Sequence, residues 1–595
     1  MITVSPKVPV GRLKPRAALA AGFALFLTGG AVQAAPDSKG TDFWLLFNQN
    51  YDGNGQPELT LFITGDTATS GTVTIPGLGF SQNFTVVPSA VTSVVIPANA
   101  QASGNDVIES KGIHVTARAE VTVYGLNRKP FTTDAFLGLP TDILGTDYIV
   151  LGYTSIGLMS EFGVVATQNG TTVTITPSAT VGGHLAGVPY TVTLNQGETY
   201  QLGSPAYGSD LSGSLVSANK PIALFGGNQC TDIPLGYAAC DHVVEQLPPT
   251  TTWGKSFVTL PLATRRNGDT FRILAAKDNT EVRVDGVPVA TLNKGQFHEQ
   301  IITGPAAITA SQPVLVAQYS NSSSFDGVTS DPFMMLVPPY EQFLNGYTVT
   351  TPATGFAVNY INVVASNADI GNVKVDGVPI PPANFQPIMG SSFSGAQVPV
   401  TLGSHTLSGT LPFGVSVYGF SAYDSYGYPG GMALSKIATV AKLMLSPKRV
   451  TKPVGGQTCL TGTVLSPTNN PVPGIRVDFT VTGANPNRGF AVADNAGKAQ
   501  FCYTGTAPGQ DVVTGVVGAV TDTASVQWTA GNRCDANGDG AFNRLDLPVL
   551  RRYVGTRVPP GDPRDFDGDG TVTGYDLRGC EQALVATPVP PGGIR

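Results

Sequence analysis

Short runs in which apolar and polar side chains alternate recur along most of the chain, and their period of two predicts β-strands rather than helices. One such phrase returns as Val73-Thr74-Ile75, Val173-Thr174-Ile175, Val282-Arg283-Val284 and Val373-Lys374-Val375, at spacings of 100, 109 and 91 residues. Two copies run into Asp285-Gly286 and Asp376-Gly377, dipeptides that supply the positive-φ residues of a tight hairpin. A later strand ends in Val123-Tyr124-Gly125, Leu224-Phe225-Gly226 and Val417-Tyr418-Gly419, with Val316-Ala317-Gln318-Tyr319 as the third copy's counterpart. Between copies lie Leu139-Pro140, Leu247-Pro248-Pro249 and Val337-Pro338-Pro339, which mark crossings because proline cannot donate to a ladder. The pattern predicts four β units, at about 40–144, 145–253, 254–345 and 346–437. Whether they are beads or one packed, propeller-like body is not fixed by this pattern.

Alternation resumes over 443–530, in Thr461-Gly462-Thr463-Val464 and Val477-Asp478-Phe479-Thr480-Val481, at the spacing of a β-sandwich. Cys459 and Cys502 fall where one strand of each sheet would place them, which predicts a bridge between the sheets. From 531 to 584 the pattern changes to two acidic loops, each followed by apolar residues such as Leu547, Val549, Leu550 and Tyr553. The expected fold is therefore mainly β and multi-domain: repeated antiparallel units, an immunoglobulin-like sandwich, and a small α-helical calcium module. Residues 585–595, with Pro588, Pro590 and Pro591, read as an unstructured tail.

Composition narrows the class. The 71 glycines and 46 prolines, with only 13% charged residues, disfavour long solvated helices, while 42% hydrophobic residues argue against disorder. Lys7, Arg12, Lys14 and Arg16 precede the apolar run Ala17 to Leu27 and the small-residue pattern ending at Ala34, an export signal over 1–34. The apolar run is shorter than the ~20 residues that span a bilayer, so no membrane span is expected in the mature chain. Cleavage after Ala34 removes four positive charges and takes the net charge from -7 to -11, which speaks against a nucleic-acid partner. The chain is expected to be secreted or displayed at the cell surface. All six cysteines lie beyond the signal. Pairing within modules predicts Cys230 with Cys240, Cys459 with Cys502, and Cys534 with Cys580.

The strongest chemical signal is at the end of the chain. Asp535, Asn537, Asp539, Asn543 and Asp546 occupy loop positions 1, 3, 5, 9 and 12, with Gly540 at position 6 and the carbonyl of Ala541 at position 7. Asp565, Asp567, Asp569, Thr571, Thr573 and Asp576 repeat the spacing 30 residues later. Oxygen donors two apart on a tight loop suit calcium, a hard cation that takes six to eight oxygens, so two Ca2+ ions are expected. With so thin a core, the ions and the Cys534–Cys580 bridge are expected to stabilise the module. In the large region, Cys230, Cys240, Asp241, His242 and Glu245 form the best local cluster. Two acids and one histidine are a weak ligand set, and a disulfide-pinned junction is the favoured reading. No G-x-S-x-G or Walker pattern occurs, and His298-Glu299 lacks the second histidine of a zinc peptidase. No catalytic residue or organic cofactor is expected, although a pair of glycosidase carboxylates is not something sequence excludes.

Lys39-Gly40-Thr41-Asp42-Phe43-Trp44, Lys111-Gly112-Ile113-His114-Val115, Ala135-Phe136-Leu137-Gly138-Leu139-Pro140 and Cys240-Asp241-His242-Val243-Val244-Glu245-Gln246-Leu247-Pro248-Pro249 resemble the IgGFc-binding protein N-terminal domain family over most of 36–437. The resemblance implies an extracellular binding or adhesion scaffold, with a glycoprotein or polysaccharide ligand. Pro471 to Phe479 and Asp494 to Ala499 resemble the bacterial immunoglobulin-like domains of intimin and invasin-type proteins, which implies a spacer. The duplicated loop and helix resemble a dockerin, which implies a cohesin-like partner. The positions that govern cohesin choice in that family hold Arg544-Leu545 and Gly574-Tyr575 here. The expected function is a bacterial binding or adhesion protein. The alternatives are an accessory of an extracellular polysaccharide-degrading assembly, attached through the dockerin-like end, and a self-associating surface-layer component.

Overall fold

The computed structural model describes residues 37–586, apart from 54, 353–354, 435–439, 441, 467–468, 470, 473–475, 495, 518–519, 530–532, 540 and 560. The expected export signal lies outside the described residues, as does the tail from 587 onward. Strands dominate, and two helices of more than one turn, Asp546–Tyr553 and Gly574–Ala586, lie at the C-terminal end of the described residues. The second helix carries two residues of the expected tail, Val585 and Ala586.

The first, third and fourth β units share one topology. In each, a long strand (Ile113–Lys129, Ala306–Ser320 or Ser404–Ser421) pairs along its length with strands on both sides. The hairpin turns form where expected: Asp285 and Gly286 have φ of 49° and 79°, and Asp376 and Gly377 have 51° and 78°. A register shift interrupts each long strand's pairing with the unit's first strand, between Gly40 and Asp42, Gly254 and Ser256, and Leu344 and Gly346. Such irregularities let one strand bend from one sheet layer into the other. In the second unit the long strand is divided into Leu215–Ala218 and Ile222–Thr231, and the two parts belong to separate sheets. Pro221 stands at the break and has no N–H for the ladder.

The units are packed against one another. Each ends in a short strand that follows its long one: Thr132–Leu137, Asp241–Leu247, Phe333–Leu336 and Asp424–Pro429, buried at every position. These four inner strands are neighbours in the cyclic order first, second, third, fourth and back to first. They line a common axis. Gly427 permits the close approach of the third and fourth, since a Cβ there would stand 2.2 Å from the Phe333 ring. The first and fourth units share one core, from Phe43 and Tyr124 to Val417 and Tyr428. The ring closes where Ser38 N–H donates to Met432 O at 2.8 Å and Met432 N–H donates to Ser38 Oγ at 3.1 Å. Between the second and third units, buried Arg272 is paired with Asp210 at 2.8 Å and Glu299 at 2.7 Å, and lies over the Tyr153 ring.

Residues 442–529 form a three-stranded and a five-stranded sheet around Phe479, Phe501, Tyr503 and Trp528. Cys459 and Cys502 are bonded, but not between the sheets. They are directly opposed on the neighbouring strands Gln457–Leu465 and Lys498–Thr504 of one sheet. Phe501 and Tyr503 are buried while Cys502 is exposed, so the alternation turns the bridge away from the core. The aromatic residues fill the space between the sheets instead.

Candidate functional site

The axis is built from polar groups. Inner strands that meet edge-on around an axis carry N–H groups that no ladder satisfies, and burial makes each one costly unless an acceptor reaches it. Asp134, fully buried, supplies the acceptor for all four strands. Its Oδ1 accepts from Ala135 N–H at 2.8 Å and Gly427 N–H at 3.3 Å. Its Oδ2 accepts from Val244 N–H at 2.9 Å and Met334 N–H at 3.1 Å. Burial pushes the Asp134 carboxyl well above the usual carboxylate range, and these donors pull it back. Glu245, also buried, accepts Leu336 N–H at 3.1 Å, and Gln246 accepts Leu139 N–H at 2.8 Å.

Of the local cluster singled out in the sequence, Cys230 and Cys240 are bonded, and Asp241, His242 and Glu245 lie on the second inner strand. The side chains do not converge as ligands. His242 is paired through Nδ1 with Asn228 O at 2.9 Å, and its Nε2 stands 3.5 Å from Asn127 Nδ2. Burial pushes its pKa down to about 3, so the ring is neutral at physiological pH. Asp241 Oδ1 accepts from Thr133 N–H and His242 N–H, both at 2.7 Å. These groups tie inner strands together. His298, on the strand Phe297–Ile302, stands 2.9 Å from Gln300 Oε1.

The connections that lead into the inner strands emerge at one end of the axis, beside the first residues of those strands. They carry exposed apolar side chains: Phe131 (59%), Leu235 (40%), Tyr237 (42%) and Tyr423 (57%). Phe131 and Tyr423 sit at φ of 65° and 56° in the two-residue turns between Lys129 and Thr132 and between Ser421 and Asp424, a left-handed conformation that costs a bulky residue energy. The second and third connections brace each other, with Ser324 N–H donating to Ala238 O at 2.6 Å and Tyr237 edge-on to Phe325 at 5.1 Å.

At the C-terminus both acidic loops are shaped by their own backbone. In the first, Asp535 accepts Gly538 N–H at 2.9 Å, Asp539 accepts Ala541 N–H at 2.9 Å, and Asp546 accepts Asn537 and Asn543 N–H at 3.1 and 2.8 Å. In the second, Asp565 accepts Gly568 and Gly570 N–H, both at 2.8 Å, Asp569 accepts Thr571 N–H at 2.8 Å, and Asp576 accepts Thr573 N–H at 2.6 Å. Asp565, Asp567 and Asp569 offer carboxylate oxygens within 4.8 Å of one another, the one such acidic triplet among the described residues. Pro548 lies in the first turn of its helix, where its missing N–H breaks no bond. Bonded Cys534 and Cys580 form a small core with Leu550 and Val572.

Sequence reasoning missed two things on the axis: the role of Asp134, and the buried aspartates Asp331 and Asp424, which begin the third and fourth inner segments as Asp241 begins the second. A signal was present, because Asp241 and Asp331 each stand six residues before the Leu247-Pro248 and Val337-Pro338 crossings.

Residues 134–419, a stretch that starts at Asp134, match the family described as IgGFc binding protein. The human IgGFc-binding protein is 28% identical over 424 residues, a match covering 68% of this chain and 8% of the human protein. Among solved structures, the D0-D1 domain of intimin is 18% identical, covering 31% of this chain and 88% of that one, with a TM-score of 0.14. An alpha-2-macroglobulin of E. coli is 10% identical, covering 84% and 40%, with a TM-score of 0.15. Scores this low carry no structural conclusion. No helix among the described residues is long and apolar enough to cross a membrane.

Proposed function

We propose that the chain is a secreted or surface-displayed bacterial binding protein that performs no covalent chemistry. Its four-unit β body presents the ligand surface, residues 443–530 act as a spacer, and 531–584 form a module stiffened by two calcium ions. The observation that carries this reading is the tip face, where Phe131 and Tyr423 are held exposed in a strained conformation above a rigid buried axis. Aromatic side chains of this kind offer flat apolar faces at little cost in side-chain entropy, which suits an extracellular glycoprotein or polysaccharide. The family resemblance supports a glycoprotein or antibody ligand.

The calcium reading rests on the ligand spacing of both loops and on the gathered oxygens of Asp565, Asp567 and Asp569. Asp535, Asn537, Asp539, Asn543 and Asp546 would hold one ion with the Ala541 carbonyl. Asp565, Asp567, Asp569, Thr573 and Asp576 would hold the other with the Thr571 carbonyl. Each loop closes with aspartate where a bidentate glutamate is usual, a shorter reach that millimolar calcium tolerates.

The test is a binding screen of the mature chain against mucins, matrix glycoproteins, polysaccharides and immunoglobulin Fc. Saturable binding to a glycoprotein or polysaccharide is the expected outcome. A blank panel, or turnover of any polysaccharide in it, would overturn the reading.

A further inference from the structure

We infer that the β body holds a divalent cation of its own, calcium by its chemistry, in a ring formed by Thr133, Asp241, Asp331 and Asp424 at the tip end of the axis. These residues are contributed one per unit, at the start of the four inner segments. Their adjacency closes a circle. Thr133 N–H donates to Asp241 Oδ1, and the Thr133 side chain is within hydrogen-bond reach of Asp424. Ser425 Oγ, next to Asp424, donates to Asp331 O at 2.7 Å. Burial pushes the Asp241 carboxyl well above its usual range, and like-charge repulsion from Asp331 and Asp424 adds to it.

A cluster of acids is not by itself a site, and what distinguishes this one is its unpartnered oxygens. Asp241 and Asp331 are fully buried and Asp424 is 7% exposed. Asp241 Oδ2, both carboxylate oxygens of Asp331 and Asp424 Oδ1 have no hydrogen-bond partner. Elsewhere on the axis Asp134 has backbone donors on both oxygens and Glu245 on one, leaving only Glu245 Oε2 without a partner. Burial raises Asp331 and Asp424, and Arg265 and Arg128 pull them back, but Arg265 is paired with Asp326 at 3.0 Å and Arg128 with Glu58 at 3.2 Å, so neither guanidinium is dedicated to the ring.

Three carboxylates and a hydroxyl form an all-oxygen donor set of the charge and hardness that calcium takes, and calcium's variable coordination geometry tolerates unequal spacing. These carboxylates are not gathered within 4.8 Å as Asp565, Asp567 and Asp569 are, so binding must draw them inward. The slight exposure of Asp424 marks the entry side. None of this depends on a ligand at the tip face or on ions in the C-terminal loops.

The experiment uses the full mature chain with both C-terminal loops disabled by Asp535→Ala, Asp539→Ala, Asp565→Ala and Asp569→Ala. After chelation it is titrated with calcium chloride by calorimetry. One remaining site per chain is expected, with Kd of ~10⁻⁴ to 10⁻³ M, weakened at least tenfold by Asp331→Asn. Asp331→Asn should also reduce the increase in β-body melting temperature that calcium gives. Asp424→Asn should behave alike, which guards against a folding defect in one variant. No binding in the loop-disabled chain, or binding unaltered by both substitutions, overturns the site. Loss of calcium from the C-terminal loops alone would change only the count in the unmodified chain.

Discussion

The axis of the β body and the C-terminal loops both collect aspartates, but in different surroundings. On the axis, Asp134, Asp241 and Asp331 are fully buried, whereas in the loops Asp539, Asp567 and Asp569 lie open to solvent while Asp535, Asp546, Asp565 and Asp576 turn inward. A large body can carry the desolvation of charged groups because its apolar cores are extensive. It uses one of them, Asp134, to satisfy backbone donors of four strands. The C-terminal module has a core of four fully buried residues and must take its order from the Cys534–Cys580 bridge and bound cations. On the axis one acid joins four strands, and in the loops each acid closes its own turn.

The largest effect should come from the axis. Asp134→Ala removes the acceptor of four buried N–H groups, each worth about 1–3 kcal/mol when left unpaired, and should destabilise the β body by at least ~3 kcal/mol in denaturant melts. A loss below ~1 kcal/mol would mean that the axis does not depend on this carboxylate.

Calcium removal sharpens the other side of the comparison. With chelator, the C-terminal module should lose its helical signal in a separate transition, and Asp539→Ala or Asp569→Ala should lower its calcium affinity by about tenfold or more. Calorimetry with unchanged affinity in both variants would remove calcium from these loops.

A smaller effect separates the regions by pH. Burial pushes Asp269 up to about 7 and raises Glu161 well above its usual range, and neither oxygen of Glu161 has a partner. Such groups hold protons in the folded state that the unfolded chain has released. Their contribution is fully present below about pH 4 and is lost as pH rises through the folded pKa. His242, pushed down to about 3, works in the opposite direction only below its unfolded value near 6.5. Between pH 6.5 and 8 the stability of the β body should therefore fall, and Asp269→Asn should flatten the slope. A melting temperature that rises over this window would contradict the assignment.

The smallest effect on stability belongs to the tip face. Phe131→Gly relieves a positive φ and removes an exposed ring, so it should leave the body unchanged or stabilise it by up to ~1 kcal/mol. A clear loss of stability would show that the ring packs structurally.

Much of the strand pattern was legible because period-two alternation and Asp-Gly turns act locally: the turns at 285–286 and 376–377 stand where the sequence places them. The closed packing of the units was not, because it depends on contacts between strands about a hundred residues apart. The Cys459–Cys502 bridge shows the same divide. The pairing was readable from module boundaries, but its placement between sheets was an error that the alternation Phe501, Cys502, Tyr503 could have prevented. The acidic loops were visible as local spacing, whereas Asp331 and Asp424 are ordinary turn residues until the fold brings them beside Asp241.

The most direct test of the binding-platform reading compares the mature chain with its Phe131→Ser/Tyr423→Ser variant on an immobilised mucin-type glycoprotein, with thermal melts of both as the folding control. The account predicts saturable binding that weakens at least tenfold in the variant while the melting temperature of the β body stays within a few degrees. Equal binding by both proteins would contradict the tip face as the ligand surface.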